Sequence, residues 1–493
     1  MSRFLILAAA LCAVAPLPAQ PGPYAANTAS PVFRKEPPPS ISQSEYAERR
    51  TNLIGRLQDG VVLALGSPEP EADYLSFFQN SSFDYLTGVH EPSAALVMVK
   101  KNGVVTATMF TEAKDPAREV WTGQRLGATG VMTQTGITGR ASDALRPYLD
   151  SLLSGNTPLF VVGDYSAKHE VQTPDDQMIA SLRKNNPALQ VTNVVGILNQ
   201  LRGKKTSTEL ALLRKSIEIT VEAQRKAIAE AIRPGAYEYE AQSLIEYTFR
   251  KNGAERPSFS TIVGSGPNST TLHYNADDRQ MQSGETVVMD IGASYRGYAA
   301  DVTRTVPVNG TYTPAMRDVY QVVRDAQAAA ERQATLGAQA KLMSDSANVV
   351  LAAGLARLGL IESPTATYDC GNEKTPRECP QFRLYYMHGL GHGIGLEVHD
   401  PDQYYVTGKI EPGSAFTIEP GIYVRSNTVD ILPRTPRNAA IGAKIGASVR
   451  KYANVGVRIE DDYFVTDKGV EWVSRAPREM SEIEALMKGR IAQ

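Results

Sequence analysis

The chain has 493 residues, 42% apolar and 21% charged, with 51 basic against 53 acidic side chains and a formal charge of −2. That length exceeds what one hydrophobic core serves and calls for two or more domains. The composition is that of a folded soluble protein, and the near-neutral balance excludes a broad nucleic-acid-binding face. Three cysteines exclude a disulfide scaffold.

Arg3 precedes an apolar run from Phe4 to Ala15. A membrane span needs about 20 such residues, whereas a secretory signal needs fewer and ends on small residues. Residues 1–19 therefore read as a signal peptide cut near Ala19 and Gln20, which predicts an exported, periplasmic or secreted chain. A buried N-terminal helix is the alternative. Leu11 stands before Cys12 where a lipoprotein would carry a small residue, which argues against a lipid anchor. No later stretch is long and apolar enough to span a membrane, so no membrane association is expected after cleavage. Residues 20–43, with PPPS at 37–40, form a linker or arm.

A first domain is expected over 44–203. Segments 60–65, 94–99, 104–110 and 159–162 read as strands, and 143–153 and 175–184 as helical stretches, an α/β mixture. The boundary is marked by a capping box, Thr206 with Glu209. A helical stripe follows at 210, 213, 217, 221, 228 and 232, with Gln224 as a polar exception, and Pro234-Gly235 stops it. The second domain, 204–493, adds helices over 238–251, 314–334 and 341–359. Its strands are 286–292, 298–306, 415–424 and 455–465, so its class is α+β. Cys370 and Cys379 bracket a short polar loop; in an exported chain this predicts a disulfide, with free thiols as the alternative.

Four carboxylates and three histidines stand out in that second domain. A hairpin turning between Tyr295 and Arg296 would set Asp290 opposite Asp301, like charges that destabilise a sheet unless a cation offsets them. Two solvent-facing aspartates are the alternative, but Val287, Val288, Met289 and Ile291 around Asp290 argue for burial. His388, His392 and His399 fall within twelve glycine-rich residues. Glu419 ends an apolar run before Pro420-Gly421, and Arg458 and Glu460 share one face of a strand. One histidine with four carboxylates suits hard or borderline divalent ions rather than a thiolate-type zinc site. Two such ions could activate water, with the flanking histidines binding a carbonyl and moving protons.

MDIG, DVTRT, HGLGHGIGLEVHD, TIEPG and GVRIEDD, in this order and spacing, resemble the metal-binding motifs of the M24B metallopeptidases, the Xaa-Pro aminopeptidases (aminopeptidase P) and prolidases. The likeness runs from about residue 44 to 470 and includes NSSFDYLTGVHEP and EVWTGQRLG in the first domain. It implies an aminopeptidase P N-terminal α/β domain before a pita-bread catalytic domain. Its metal ligands fall on Asp290, Asp301, His392, Glu419 and Glu460, with Asp301 and Glu460 bridging two ions. Mn2+ is the first candidate, and Zn2+ or Co2+ the others. His273, His388 and His399 would lie on the substrate side, Arg458 would orient Glu460, and Glu419 would accept the proton of the attacking water. Trp121 and Tyr423 would contact substrate, Trp121 from a neighbouring subunit of a homo-oligomer, a dimer or tetramer.

The implied reaction removes the residue that precedes a proline, by attack of a hydroxide held between the ions. Prolidase, which cuts Xaa-Pro dipeptides, is the nearest alternative. A non-catalytic peptide-binding protein of the same fold is a second, which the complete ligand set counts against, as it does against a metal-free creatinase. Methionine aminopeptidase lacks the large first domain. Gly393 stands where related chains often carry a bulky residue, which bears on the shape of the substrate pocket. Two insertions, 362–382 and 427–453, either wall the cleft or decorate the surface.

Overall fold

Residues 1–38, with the expected export signal and most of the arm, lie outside the part of the chain that this computed structural model describes, namely 39–72, 75–372 and 374–489. Seven helices open the described chain: α1 (Gln43–Gly55), α2 (Ser81–Thr87), α3 (Pro116–Thr122), α4 (Gly127–Thr135), α5 (Leu145–Leu152), α6 (Pro174–Asn185) and α7 (Val195–Arg202). Six strands alternate with them: β1 (Gly60–Leu65), β2 (Ala95–Lys101), β3 (Val104–Thr111), β4 (Thr138–Ala141), β5 (Leu159–Val161) and β6 (Val191–Asn193). They form one mixed sheet in the order β4-β3-β2-β1-β5-β6. Side chains of β1 alternate between its faces. Val61 and Leu63 pack with Leu149 of α5 and Ile179 of α6. Val62 and Ala64 pack with Leu53 of α1, Phe83 of α2 and Leu198 of α7. Burial on both faces accounts for the near-continuous apolar runs of the sequence.

The second domain begins on α8 (Ser207–Lys226), where the expected capping box forms: the Glu209 amide donates to Thr206 Oγ1 and the Thr206 amide to Glu209 Oε2. The expected stripe is buried at Leu213, Ile217, Ile228 and Ile232 and half-buried at Leu210 and Val221, and the buried face extends to Leu212, Ser216, Thr220 and Ala223. Gln224, the polar exception, is fully buried. Helices α9 (Glu238–Lys251), α10 (Pro314–Gln333) and α11 (Lys341–Arg357) lie where expected; α12 (Gln403–Thr407), α13 (Pro436–Lys451) and α14 (Met480–Lys488) follow. Among the described residues no helix is long and apolar enough to cross a membrane.

The strands depart from expectation in a consistent way. They are β7 (Arg256–Pro257), β8 (Ile262–Ser265), β9 (Thr286–Ile291), β10 (Ala293–Tyr295), β11 (Tyr298–Ala299) and β12 (Val302–Pro307), then β13 (Thr367–Asp369), β14 (Glu378–Pro380), β15 (Ala415–Ile418), β16 (Gly421–Val424), β17 (Val455–Arg458), β18 (Asp461–Thr466) and β19 (Gly469–Trp472). Three of the four long expected strands are each two short ones, and the fourth, 286–292, forms β9 and stops one residue short of its expected end. The breaks fall at Gly292, at Ala300-Asp301, at Glu419-Pro420 and at Ile459-Glu460. The pieces pair as β12-β9-β8, β11-β10-β7, β15-β18-β19 and β16-β17.

The hairpin register is also corrected. Arg296 and Gly297, with φ of 51° and 83°, form the turn, so its centre lies one residue later than a turn between Tyr295 and Arg296. Tyr295 pairs with Tyr298, and Asp290 pairs with Thr303 rather than with Asp301. The error is two residues on one strand, an even number, so Asp290 and Asp301 still share a face. At the break the chains approach so closely that a Cβ on Gly292 would sit 1.9 Å from the Ala300 carbonyl oxygen.

The two insertions pack against each other. The first holds the hairpin β13–β14, clamped by the Cys370–Cys379 disulfide, and the second holds α13. Arg437 pairs with Asp369 and Glu378 across them, and Asn438 Nδ2 donates to the Asp369 carbonyl. They enclose a surface groove of their own, lined by Arg377, Glu378 and Arg434 among others, and do not line the cavity described next.

Candidate metal centre

All five expected ligands line one cavity of about 520 Å³, together with His273, His388, His399 and Arg458. Phe259, Ile262, Leu272 and Val398 give it an apolar wall. The ligands reach it because the strands break there: Glu419 and Glu460 sit in the gaps β15/β16 and β17/β18, Asp301 just before β12, and Asp290 near the end of β9. His392 is held from both sides. Its amide donates to Thr417 Oγ1 at 3.1 Å and its Nδ1 donates to the Gly393 carbonyl at 3.1 Å. That tautomer leaves the Nε2 lone pair facing the carboxylates, 3.5 Å from Asp301 Oδ2, 3.4 Å from Glu419 Oε1 and 3.8 Å from Glu460 Oε1.

The glycines around His392 serve the neighbouring strand. A Cβ on Gly391 would lie 2.0 Å from the Thr417 carbonyl oxygen of β15, and one on Gly393 would lie 2.3 Å from the Asp400 carbonyl oxygen. Gly393 is not in the cavity wall, so its small size fits the loop to its neighbours and not the substrate pocket.

The donor set fits a divalent cation. Asp301, His392 and Glu460 offer ligand atoms that all lie within 4.8 Å of one another. Among the described residues Asp290 Oδ1, Asp301 Oδ1 and Glu460 Oε1 find no hydrogen-bond partner in their buried positions, lone pairs left unspent that a cation would take up. Burial, and then the charge of Glu460, push the carboxyls of Asp301 and Glu419 well above the usual range. Burial, and then Asp290, push Glu460 up to about 8. Asp290 goes the other way: burial opposes its charge, but the Arg458 guanidinium bonded to Oδ2 outweighs it and holds the carboxyl low. Oxygen and imidazole ligands of this kind suit hard or borderline ions.

Arg458 also organises a hydrogen-bond chain that reaches His388. Its Nη1 donates to the Tyr423 hydroxyl at 2.8 Å, the hydroxyl donates to His388 Nε2 at 2.8 Å, and His388 Nδ1 donates to the Gly389 carbonyl at 2.8 Å. Burial and the Arg458 charge push His388 down to about 3, so it stays neutral, its one N–H held by the Gly389 carbonyl and its Nε2 by the Tyr423 hydroxyl, and it is not a proton carrier. Arg458 bonds Asp290, while Thr303 Oγ1 holds Glu460 at 2.7 Å and accepts from Arg458 Nε at 3.2 Å. The expected Arg458–Glu460 link therefore runs through Thr303. His399 lies against His392, ring centroids 4.1 Å apart. Trp121 is 88% exposed on α3 and does not line the cavity of its own chain.

Sequence reasoning missed the supports beneath these groups. Arg304 is fully buried, its Nε donating to the Pro477 carbonyl, its Nη1 to the Glu460 carbonyl and its Nη2 to Asp461 Oδ1. An arginine inside the apolar strand DVTRTVPV was the available signal.

The metal-free protein has a pH dependence with a definite sign. Folding raises Glu460 from 4.5 to about 8, so the stability tied to its proton is complete below pH 4.5 and is lost as pH rises through 8. Asp301 and Glu419 act in the same direction. His388 and His392, held down to about 3 and about 4, act in the opposite direction up to their free value of 6.5, so the unfolding temperature of chelator-treated protein is expected to fall between about pH 6.5 and pH 8, with added Mn2+ restoring it most at the alkaline end, where fewer protons must leave. Thermal scans across that range check this; a flat profile in the metal-free protein contradicts it.

With this geometry in place, comparison with known proteins is specific. Residues 211–467 match the metallopeptidase family M24, and residues 46–161 match the aminopeptidase P N-terminal domain. The Xaa-Pro aminopeptidase of Escherichia coli (strain K12) is 31% identical over 460 residues, covering 91% of this chain and 98% of that protein. The Xaa-Pro aminopeptidase of Haemophilus influenzae is 32% identical over 456 residues, with the same shares. The solved structure of E. coli aminopeptidase P in its low-pH form superposes with a TM-score of 0.78 at 29% identity, covering 92% of this chain and 100% of that one. The family match over more than half the sequence, the cavity and the ligand set agree: the chain belongs to metallopeptidase family M24, a metallo-aminopeptidase with an aminopeptidase P N-terminal domain before its pita-bread catalytic domain.

Proposed function

We propose that the protein is a dinuclear Xaa-Pro aminopeptidase, releasing the first residue of peptides whose second residue is proline. The observation that carries this reading is the single cavity in which five ligand-type side chains, three further histidines and Arg458 converge beside an apolar wall. Asp290, Asp301, His392, Glu419 and Glu460 would hold two divalent ions, Mn2+ first, with Asp301 and Glu460 between them. Such a pair supplies an activated water and polarises the scissile carbonyl.

The side chains then divide the work. Glu419 accepts the proton of the attacking water and returns it to the leaving proline nitrogen. Asp290, kept ionised by Arg458, gives the substrate's α-amine a negative neighbour. His399 and His273 face the reacting carbonyl, where an oriented N–H stabilises developing negative charge. His388, fixed by Tyr423, orients the bound peptide. The wall of Phe259, Ile262, Leu272 and Val398 suits a proline ring, which brings no N–H that would need a partner.

Two further readings belong to this proposal. The run from Arg3 to Ala15 supports export, and the exposed Trp121, on a helix that buries none of its residues, supports a homo-oligomer in which that ring reaches a neighbouring copy.

Peptide length separates the proposed activity from that of a prolidase: Xaa-Pro-Yaa peptides should be cleaved faster than Xaa-Pro dipeptides, and activity on dipeptides alone overturns it. Asp301→Asn should lose both metal and activity, whereas His399→Ala should keep its metal and lose about 10²-fold or more in turnover; loss of metal from the histidine variant would make His399 a ligand. The exported protein should begin near Gln20 and have the solution mass of a dimer or tetramer, with Trp121→Ala raising KM. A monomer with wild-type KM in the variant sinks the oligomer reading, and an intact Met1 sinks export.

A further inference from the structure

Two buried glutamines occupy corresponding places in the two halves of the ligand set. Gln224 projects from α8, and its Nε2 donates to the Met289 carbonyl at 3.0 Å and to the Val302 carbonyl at 2.9 Å. Met289 immediately precedes Asp290, and Val302 immediately follows Asp301. Gln327 projects from α10, and its Nε2 reaches the Ile418 and Ile459 carbonyls at 3.4 Å each and Asp461 Oδ2 at 2.9 Å. Ile418 immediately precedes Glu419, and Ile459 immediately precedes Glu460.

Both side chains are fully buried, and both amide oxygens are buried without a hydrogen-bond partner. A buried acceptor left unpaired costs free energy, so each amide is held for its donor end. The backbone partners are carbonyls, which fixes the amide orientation, since only the NH2 end can satisfy them. Val302, Ile418 and Ile459 lie where the strands part, while Met289 lies inside the β9 ladder, opposite Arg304. One donor bridging two of these carbonyls ties together two chain segments that each carry a carboxylate.

We propose that Gln224 and Gln327 are a matched pair of positioning residues, Gln224 setting the separation of Asp290 and Asp301, and Gln327 that of Glu419 and Glu460. The inference rests on the reading of these four carboxylates as metal ligands. Neither glutamine lines the cavity, so each acts through the backbone beside a ligand. Ser216 and Thr220, on the same face of α8, give the contrast. Both are fully buried and both bond the backbone of Ala293, the Ser216 hydroxyl donating to its carbonyl and Thr220 Oγ1 accepting from its amide at 2.9 Å. They secure the break without touching a residue adjacent to a carboxylate.

The test measures Mn2+ affinity by competition with a chelating dye, alongside thermal unfolding of the metal-free protein, for Gln224→Met, Gln327→Met and the control Ser216→Ala. Methionine keeps the length and removes the donor. Both methionine variants are expected to bind Mn2+ about 10- to 100-fold more weakly. Ser216→Ala should lower the unfolding temperature yet keep the affinity within about twofold of wild type. If a methionine variant does not fold, Gln224→Asn or Gln327→Asn, which keeps a donor one methylene short, is measured in its place with the same expectation. Methionine or asparagine variants that lose thermal stability but bind Mn2+ as wild type does would make the glutamines packing groups and overturn the proposal. Wild-type protein that binds no Mn2+ would overturn the ligand reading beneath it, an outcome distinct from a failure of the glutamines alone.

Discussion

The repulsion among buried carboxylates is the constraint on which the rest of this structure depends. Asp290, Asp301, Glu419 and Glu460 converge around His392, with Asp461 and Asp462 buried directly behind them. Their protein counter-charges are few and specific. Arg458 serves Asp290, and Arg304 with Arg478 serves Asp461. Among the described residues Asp301, Glu419 and Glu460 have no arginine or lysine bonded to their carboxylates, and burial with their mutual repulsion raises their carboxyls. A buried charge is tolerated when it is paired or coordinates a metal. Divalent cations therefore suit the charge balance of the domain, and the proposed chemistry would draw on charge that the fold already requires.

Bringing four carboxylates from four chain segments to one point has a structural cost. A continuous antiparallel ladder sends alternate side chains to opposite faces and holds them at fixed spacings. At this site the ladders stop at Asp301, Glu419 and Glu460, and every freed backbone group then needs another partner. The answers are polar side chains placed inside apolar faces: Ser216, Thr220 and Gln224 on α8, Gln327 on α10, and Arg304, whose guanidinium spans the Glu460 carbonyl and Asp461. Each looks like a flaw in the apolar pattern of its own element, and each is fully buried.

That history decides what the sequence disclosed. The ligand residues were legible because carboxylates inside apolar runs are costly without a cation, and because the motifs keep their order and spacing. Placing Asp290 and Asp301 on one face survived a wrong register, since the turn at Arg296-Gly297 displaced the pairing by two residues and not one. Of the strand breaks only that at Gly292, the expected end of the first strand, was legible. Apolar residues continue through Ala300 and Ile459, and Pro420 lay inside an expected strand. Gln224 was noticed as an irregularity of a helical stripe, but its partners lie more than sixty residues away and no periodicity reveals them. The mutual packing of the two insertions was hidden for the same reason, with Arg437 and Asp369 separated by sixty-eight residues.

The two domains divide the site unequally. Every candidate metal ligand, and every support named for one, belongs to the second domain. The loop that carries His399 does not depend on that domain alone. Asp400, its neighbour in sequence, is buried and bonds Arg202, the last residue of α7, and Lys205 of the connecting segment, whose Nζ lies 3.2 Å from Asp400 Oδ2. Glu397 in the same loop bonds Ser81 of α2. Breaking one partner of a buried pair is costly because it strands the other charge, so this loop stays in register with the first domain. The fold thus anchors the candidate metal ligands within one core and the His399 loop across two, and the docking of the first domain becomes a determinant of where His399 stands in the cavity.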